Sequence, residues 1–362
     1  MIFADNLRTA LIILVVLHHL AVIYGANTPF YYVEPAYSDV LALWVLVIFQ
    51  LLNQAYFMGF FFLLSGYFTP GSFERKGLTS FLKDRLIRLG IPLLVFAFVL
   101  NPIASIGIWQ MPASLTGITT PLSWQEYPKL IGIGPLWFIV MLLVFDFGYA
   151  AWRVDTWTRS ASDSAPPRYR MVVVFVLVLA LASYLIRIVL PLGKYALSFP
   201  SLAYLPQYLS FFIIGIIAYH RNWLRTIPSR MGKLGFGVAL VATLTLFPIS
   251  LSGGAAFLGN GYWQSAVYAL WDSTFAVGMV LGLTTLFRRF FNYPNRLGRF
   301  LSQHSYTVFI IHAPIIVFLA LAMRGIHLEQ LLKFGLAAIV GLPLCFGAAY
   351  LVRKIPFTDR VL

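Results

Sequence analysis

The sequence predicts an all-α, polytopic membrane protein of about ten transmembrane helices with both termini on the cytoplasmic side. Three observations carry that expectation. Of 362 residues, 60% are hydrophobic and 10% charged, with a mean hydropathy of +0.83, far more apolar surface than a soluble core needs to bury. The apolar residues fall in windows long enough to cross a bilayer. The basic residues gather between alternate windows.

The windows cover approximately 8–24, 40–68, 86–108, 133–152, 171–190, 205–220, 236–252, 264–287, 303–323 and 330–352, close to the ~20 residues that a helix needs to cross the hydrocarbon layer. The first, Leu7 to Tyr24, reads as a mature helix rather than a secretory signal. It holds two histidines and lacks a small-residue cleavage site followed by a soluble domain.

Basic residues set the orientation. Arg75, Lys76, Lys83, Arg85 and Arg88 follow the second window, and Arg153, Arg159, Arg168 and Arg170 the fourth. Arg221, Arg225, Arg230 and Lys233 follow the sixth, Arg288, Arg289, Arg296 and Arg299 the eighth, and Arg353, Lys354 and Arg360 the tenth. The opposite connections hold Lys129, Arg187, Lys194, Arg324 and Lys333. With Arg8, the 26 lysines and arginines divide 21 against 5, which puts both termini in the cytoplasm. One window more or fewer would scramble the alternation. The net charge of +14 is thereby explained without nucleic acid, which would require a basic face or groove.

The longest outer connection, about residues 103–132, mixes Pro112, Pro121 and Pro128 with Trp109, Trp124 and Tyr127, a composition suited to lying along the interface and capping a site from outside. Ser160–Pro167 is a short polar linker. No stretch is long enough for a separate soluble domain, so residues 1–362 read as a single transmembrane domain. The lone cysteine, Cys345, excludes an internal disulfide framework and a cysteine-based metal site. The acidic residues are too scattered for a carboxylate cage.

Polar side chains deep in a span are costly, and each asks for a partner or a function. The first window carries Asp5, Arg8, His18 and His19. Arg8 and His19 are eleven positions apart, three turns plus roughly 20°, and share a face, with His19 roughly 16 Å deeper. His18 is rotated by roughly 80° from that stripe. Asp5 reaches Arg8 as an i, i+3 neighbour. An arginine at the rim suits an anionic donor, and an imidazole with an ordinary pKa near 6.5 suits proton chemistry. For Arg8 alone, snorkelling to the inner interface is a sufficient account, and both histidines have a plain alternative as hydrogen-bonding partners of neighbouring helices. For the whole stripe, function leads.

Two further constellations stand out. In SerTyrThrValPheIleIleHisAlaPro, His312 lies at a depth similar to His19, with Tyr306 offset from it by roughly 120°. Alone, His312 reads as a packing or hydrogen-bonding residue. PhePheLeuLeuSerGlyTyrPhe, residues 61–68, precedes PheLeuLysAspArgLeuIleArgLeuGlyIlePro, residues 81–92, in which Arg85 and Arg88 stand i, i+3. Such a pair fits the phosphates of a nucleotide-bearing donor, and on charge alone fits inner-leaflet anchoring equally. Asn53, Gln54, Trp137 in GlyProLeuTrpPhe and Asp272 carry weaker signals, Asp272 reading as a structural partner of a basic or hydroxyl group. HisGluXaaXaaHis, the GXSXG elbow, the Walker loop and the dinucleotide glycine fingerprint are absent in usable context.

Over nearly its whole length the chain resembles the acyltransferase 3 family of membrane O-acyltransferases. Its pattern of arginine, ten residues, histidine maps onto Arg8 and His19. The resemblance implies that His19 is the catalytic histidine, supported by Arg8, and that Arg85 and Arg88 handle acyl-CoA. It carries Trp137, Tyr306 and His312 over as acceptor or pocket residues. Some members place a glutamate a few residues beyond the tryptophan, where Met141 stands here, so that role does not transfer. The hydrolase-like extracytoplasmic domain of many O-antigen-modifying members has no counterpart in these residues.

The implied reaction moves an acyl group, acetyl or succinyl, from acyl-CoA as co-substrate to a hydroxyl of a carbohydrate or lipid-linked glycan, with no bound cofactor or metal, in the bacterial cytoplasmic membrane. Two other classes compete. A proton-coupled secondary transporter would use His19, His312 and Asp272 as a relay, and predicts inverted repeats and broken helices in matching halves, which the sequence does not display. A noncatalytic membrane sensor predicts that His19→Ala preserves function.

Overall fold

The computed structural model describes the chain apart from residues 26–27, 35–38, 156–164, 196–198, 200–201, 357 and 359–360. Arg159, Arg360 and most of the Ser160–Pro167 linker therefore lie outside the described residues. Among the described residues, ten helical spans are long and apolar enough to cross a membrane: α1 (Ile2–Gly25), α2 (Val40–Lys76), α3 (Leu78–Gln110), α4 (Trp124–Arg153), α5 (Tyr169–Val189), α6 (Leu202–His220), α7 (Ser229–Leu251), α8 (Trp263–Phe290), α9 (Arg296–Ala322) and α10 (Gln330–Val352). The protein is an all-α integral membrane protein.

Helix ends depart from the apolar windows where polar residues continue the helix. α2 runs past Pro70 to Lys76, because hydropathy marks where lipid ends and not where helix ends. Gly77 then turns the chain at φ 73°, a left-handed conformation open to glycine, and its N–H closes on the Phe73 carbonyl at 2.8 Å. The 103–132 connection is partly helical as well. α3 reaches Gln110, and short turns at Ala113–Thr116 and Tyr127–Leu130 follow.

α3 is not a regular helix. It widens into π turns at Leu86–Gly90 and Phe96–Leu100, ahead of Pro92 and Pro102. Each proline lacks the amide that would serve the carbonyl four residues earlier, and its ring presses on that carbonyl. The two carbonyls are those of Arg88 and Phe98. Tyr306 donates its hydroxyl to the first and Tyr127 to the second, each at 2.6 Å. A phenol from elsewhere in the chain thus serves each freed carbonyl.

The chain divides into two compact units. The first comprises residues 1–8, 54–83 and 142–294. Within it, α7 and α8 meet backbone to backbone: a Cβ on Gly235 would lie 2.8 Å from the Gly278 carbonyl, and one on Gly278 2.5 Å from that of Gly235. Helices in lipid gain their contact from such small residues. The same unit buries Arg187 of α5 against Asp272 of α8 at 2.5 Å, at 0% and 1% exposure. The faces of Tyr204 and Tyr268 lie 4.9 and 5.6 Å from the guanidinium carbon.

The second unit comprises residues 9–53, 84–141 and 295–362. Here Lys333 of α10 is buried against Glu34, Gln330 donates to the Tyr24 carbonyl at 3.0 Å and Gln50 to that of Ala21 at 2.9 Å. These placements correct two expectations. Arg187 and Lys333 are not loop residues but lie inside helices, because a charge that finds a counter-ion lets an apolar helix run on past it.

Candidate active site

The site forms within the second unit, where α1 and α9 each contribute one histidine. α1 is apolar nearly all round, so its polar side chains must be met by neighbours. His19 and His312 meet directly: His19 Nδ1 and His312 Nε2 are 3.0 Å apart, with ring centroids 5.0 Å apart and planes inclined by 26°. His312 Nδ1 lies 2.7 Å from the Phe309 carbonyl one turn back.

The carbonyl fixes the protons. It only accepts, so His312 Nδ1 carries the hydrogen, and in the neutral ring Nε2 is then the lone pair. His19 Nδ1 must therefore be the donor between the rings. This leaves the lone pair of His19 on Nε2, outside the pair, while the Val15 carbonyl one turn back is a second acceptor for the ring's N–H. His312 is fully buried and His19 partly exposed, so the ring holding that lone pair is the accessible one.

Sequence reasoning missed Phe30. Its ring stacks on the other face of His19, with centroids 5.0 Å apart and planes 15° from parallel. The connection that carries it is pinned: the Glu34 amide donates to the Ile23 carbonyl at 2.9 Å, and Tyr31 donates to Asn101 Oδ1, whose amide nitrogen donates to the Leu130 carbonyl at 2.6 Å. The signal was present, three aromatic residues (Phe30, Tyr31, Tyr32) in a short connection directly after a histidine-bearing helix.

The other predicted residues are placed as follows. Arg88 Nε pairs with Asp84 at 3.1 Å with its side chain 56% exposed, and its backbone carbonyl takes the Tyr306 hydroxyl, so α9 holds the turn that displays Arg88. Arg85 stands one turn before Arg88. Trp137 is buried at the start of the regular helix of α4, beside Phe138, whose ring packs edge-on against Phe309 at 5.9 Å. That contact braces the residue whose carbonyl orients His312. Arg8 belongs to the first unit, where it lies 3.4 Å from Asp5 and over the ring of Phe68 at 5.2 Å. His18 meets His19 edge-on at 5.7 Å. Among the described residues no group of three or more histidine, cysteine or acidic side chains is arranged to hold a metal ion.

Known proteins match the chain in sequence over nearly its whole length. The acyltransferase 3 family, described as an acyltransferase domain, matches residues 1–352. The chain is 24% identical to glucans biosynthesis protein C of Salmonella paratyphi B, over 98% of this chain and 92% of that protein. The proteins of the same name from Salmonella dublin and Salmonella enteritidis give the same figures. No solved structure matches the chain. With a family match from the first residue through the end of α10, the chain belongs to the acyltransferase 3 family.

Proposed function

We propose that the protein transfers an acyl group, acetyl or succinyl, from acyl-CoA to a hydroxyl of a carbohydrate or lipid-linked glycan, with His19 as general base. The observation that carries this reading is the histidine pair, because it leaves the Nε2 lone pair on the accessible ring. Nε2 removes the proton of the acceptor hydroxyl as its oxygen attacks the thioester carbonyl carbon. The resulting imidazolium is held through Nδ1–H by His312, itself held by the Phe309 carbonyl, the logic of a base oriented by a third group. Collapse of the tetrahedral adduct breaks the carbon–sulfur bond, and His19 returns its proton to the departing thiolate, giving the ester and free CoA.

Arg85 and Arg88 bind the donor's phosphates at the basic mouth of α3, where a planar guanidinium offers paired donors to phosphate oxygens. Arg8, at the rim of the helix that carries His19, holds anionic charge on the same side. Trp137, Tyr306 and Phe30 shape the approach to the histidines. The basic bias supports a cytoplasmic mouth, and with it a bacterial inner membrane, where acyl-CoA is available on that side. The relatives are named for glucans, so a glucan is the first acceptor to try.

The test is acyl-CoA consumption by purified protein in nanodiscs against a panel of envelope glycans, with glucans first. Turnover that vanishes in correctly folded His19→Ala supports the base; equal turnover in that variant rules it out.

A further inference from the structure

The first unit contains a cavity of about 200 Å³ that the acyl-transfer reading does not use. It is walled by apolar side chains of α5, α6 and α8, among them Phe175, Phe211, Ala218 and Val280, and closed at one end by the Trp223–Ile227 turn. Met171 on its wall is 53% exposed, so the cavity opens through the outer surface of α5. In a membrane-spanning helix that surface faces hydrocarbon.

Two further features give the occupant a chemistry. Thr284 lines the cavity at 0% exposure, and its hydroxyl has no hydrogen-bond partner within the protein. A buried donor without an acceptor is costly, and a helical threonine ordinarily bonds its own backbone, as Thr274 of the same helix does at 2.7 Å. The second feature is charge. The segments that close the cavity carry exposed arginines immediately beside its lining residues: Arg168 follows Pro167 and Arg225 follows Leu224. Arg288 reinforces that end by donating to the Leu224 carbonyl at 3.1 Å and to that of Ile227.

We propose that this cavity is a binding site for one acyl chain of an anionic glycerophospholipid. The chain fills the apolar wall, its ester carbonyl accepts the Thr284 hydroxyl, and its phosphate meets Arg168 and Arg225. Each part excludes a competitor. An isoprenoid phosphate has no ester carbonyl for Thr284. A zwitterionic lipid brings a second charge of the wrong sign to the arginines. The proposal does not depend on the acyl-transfer reading.

The experiment is native mass spectrometry of the full chain released from detergent, with phosphatidylglycerol, phosphatidylcholine and ether-linked dialkyl phosphatidylglycerol as probes. The wild type retains one phosphatidylglycerol at least tenfold better than either other lipid. Ala218→Phe fills the cavity and abolishes retention, and Thr284→Val equalises ester and ether lipids while leaving the preference over phosphatidylcholine. Arg168→Gln combined with Arg225→Gln removes that headgroup preference without disturbing the core, which keeps the test available if Ala218→Phe does not fold. Equal retention of ester and ether lipids by the wild type would overturn the proposal, as would undiminished retention in folded Ala218→Phe.

Discussion

One buried polar pair in each unit is met in a different way. Each unit buries polar groups from α-helices that otherwise face apolar surroundings. In the first unit Arg187 meets Asp272 at 2.5 Å between the rings of Tyr204 and Tyr268, and the two charges are matched, although Arg187 Nε and Nη1 find no hydrogen-bond acceptor. In the second, His19 and His312 are joined by one hydrogen bond and His312 is spent on the Phe309 carbonyl, yet the chain of donors ends on a lone pair. A closed pair contributes architecture and an open one contributes chemistry, so burial of a polar residue in a membrane helix does not by itself mark a catalytic group. Asp272 spends its oxygens on Arg187 and Ser273, whereas His19 keeps a lone pair.

The comparison is broken most forcefully at His19. Substitution by Ala should lower kcat/KM by about 10²–10⁴-fold, the usual worth of a general base, with unchanged thermal stability. A change within about threefold would mean that the open pair is no more chemical than the closed one. Asp272→Ala should do the reverse, costing about 3–5 kcal/mol of stability by stranding a buried guanidinium, read as a lower melting temperature in detergent. Replacing both partners, Arg187→Met with Asp272→Leu, should recover most of that loss.

Smaller effects sharpen the account. His312→Phe keeps the bulk but removes the acceptor for His19 Nδ1–H, and should cost on the order of 10²-fold in kcat with little change in KM, as a misplaced catalytic group does. His312→Gln, which restores an acceptor, should regain part of it. The pair Arg85→Gln and Arg88→Gln should raise KM for acyl-CoA several-fold at constant kcat, because the Arg88 side chain is 56% exposed and already shared with Asp84. Smallest is Tyr306→Phe, which withdraws the hydroxyl from the Arg88 carbonyl at a cost of about 0.5–1.5 kcal/mol.

Much of this fold was legible because a bilayer imposes length and hydropathy on each span. All ten windows correspond to helices, and the even basic bias helped to count them. The errors fell where local chemistry overrides hydropathy. Arg187 and Lys333 were counted with the outer connections although the windows 171–190 and 330–352 contain them, and a one-dimensional pattern does not show their partners Asp272 and Glu34. The π turns of α3 were hidden for the same reason, although Pro92 and Pro102 announced trouble: the phenols of Tyr306 and Tyr127 that make them tolerable come from elsewhere in the chain. At the site, helical phase put His19 on the Arg8 stripe and depth put His312 level with it. Their contact, the tautomers it fixes and the stacking of Phe30 depend on how α1, α9 and a short connection pack, which spacing does not encode.

Catalysis rests on the position of one proton on each ring, and ¹⁵N magnetic resonance of histidine-labelled protein in nanodiscs reads it directly, with His19→Gln and His312→Gln spectra assigning the two rings. Both neutral rings should be protonated at Nδ1, with His19 Nε2 bare and its signal shifting when His312 is replaced. A His19 protonated at Nε2 would contradict it, because the accessible ring would then offer a substrate a donor in place of a base.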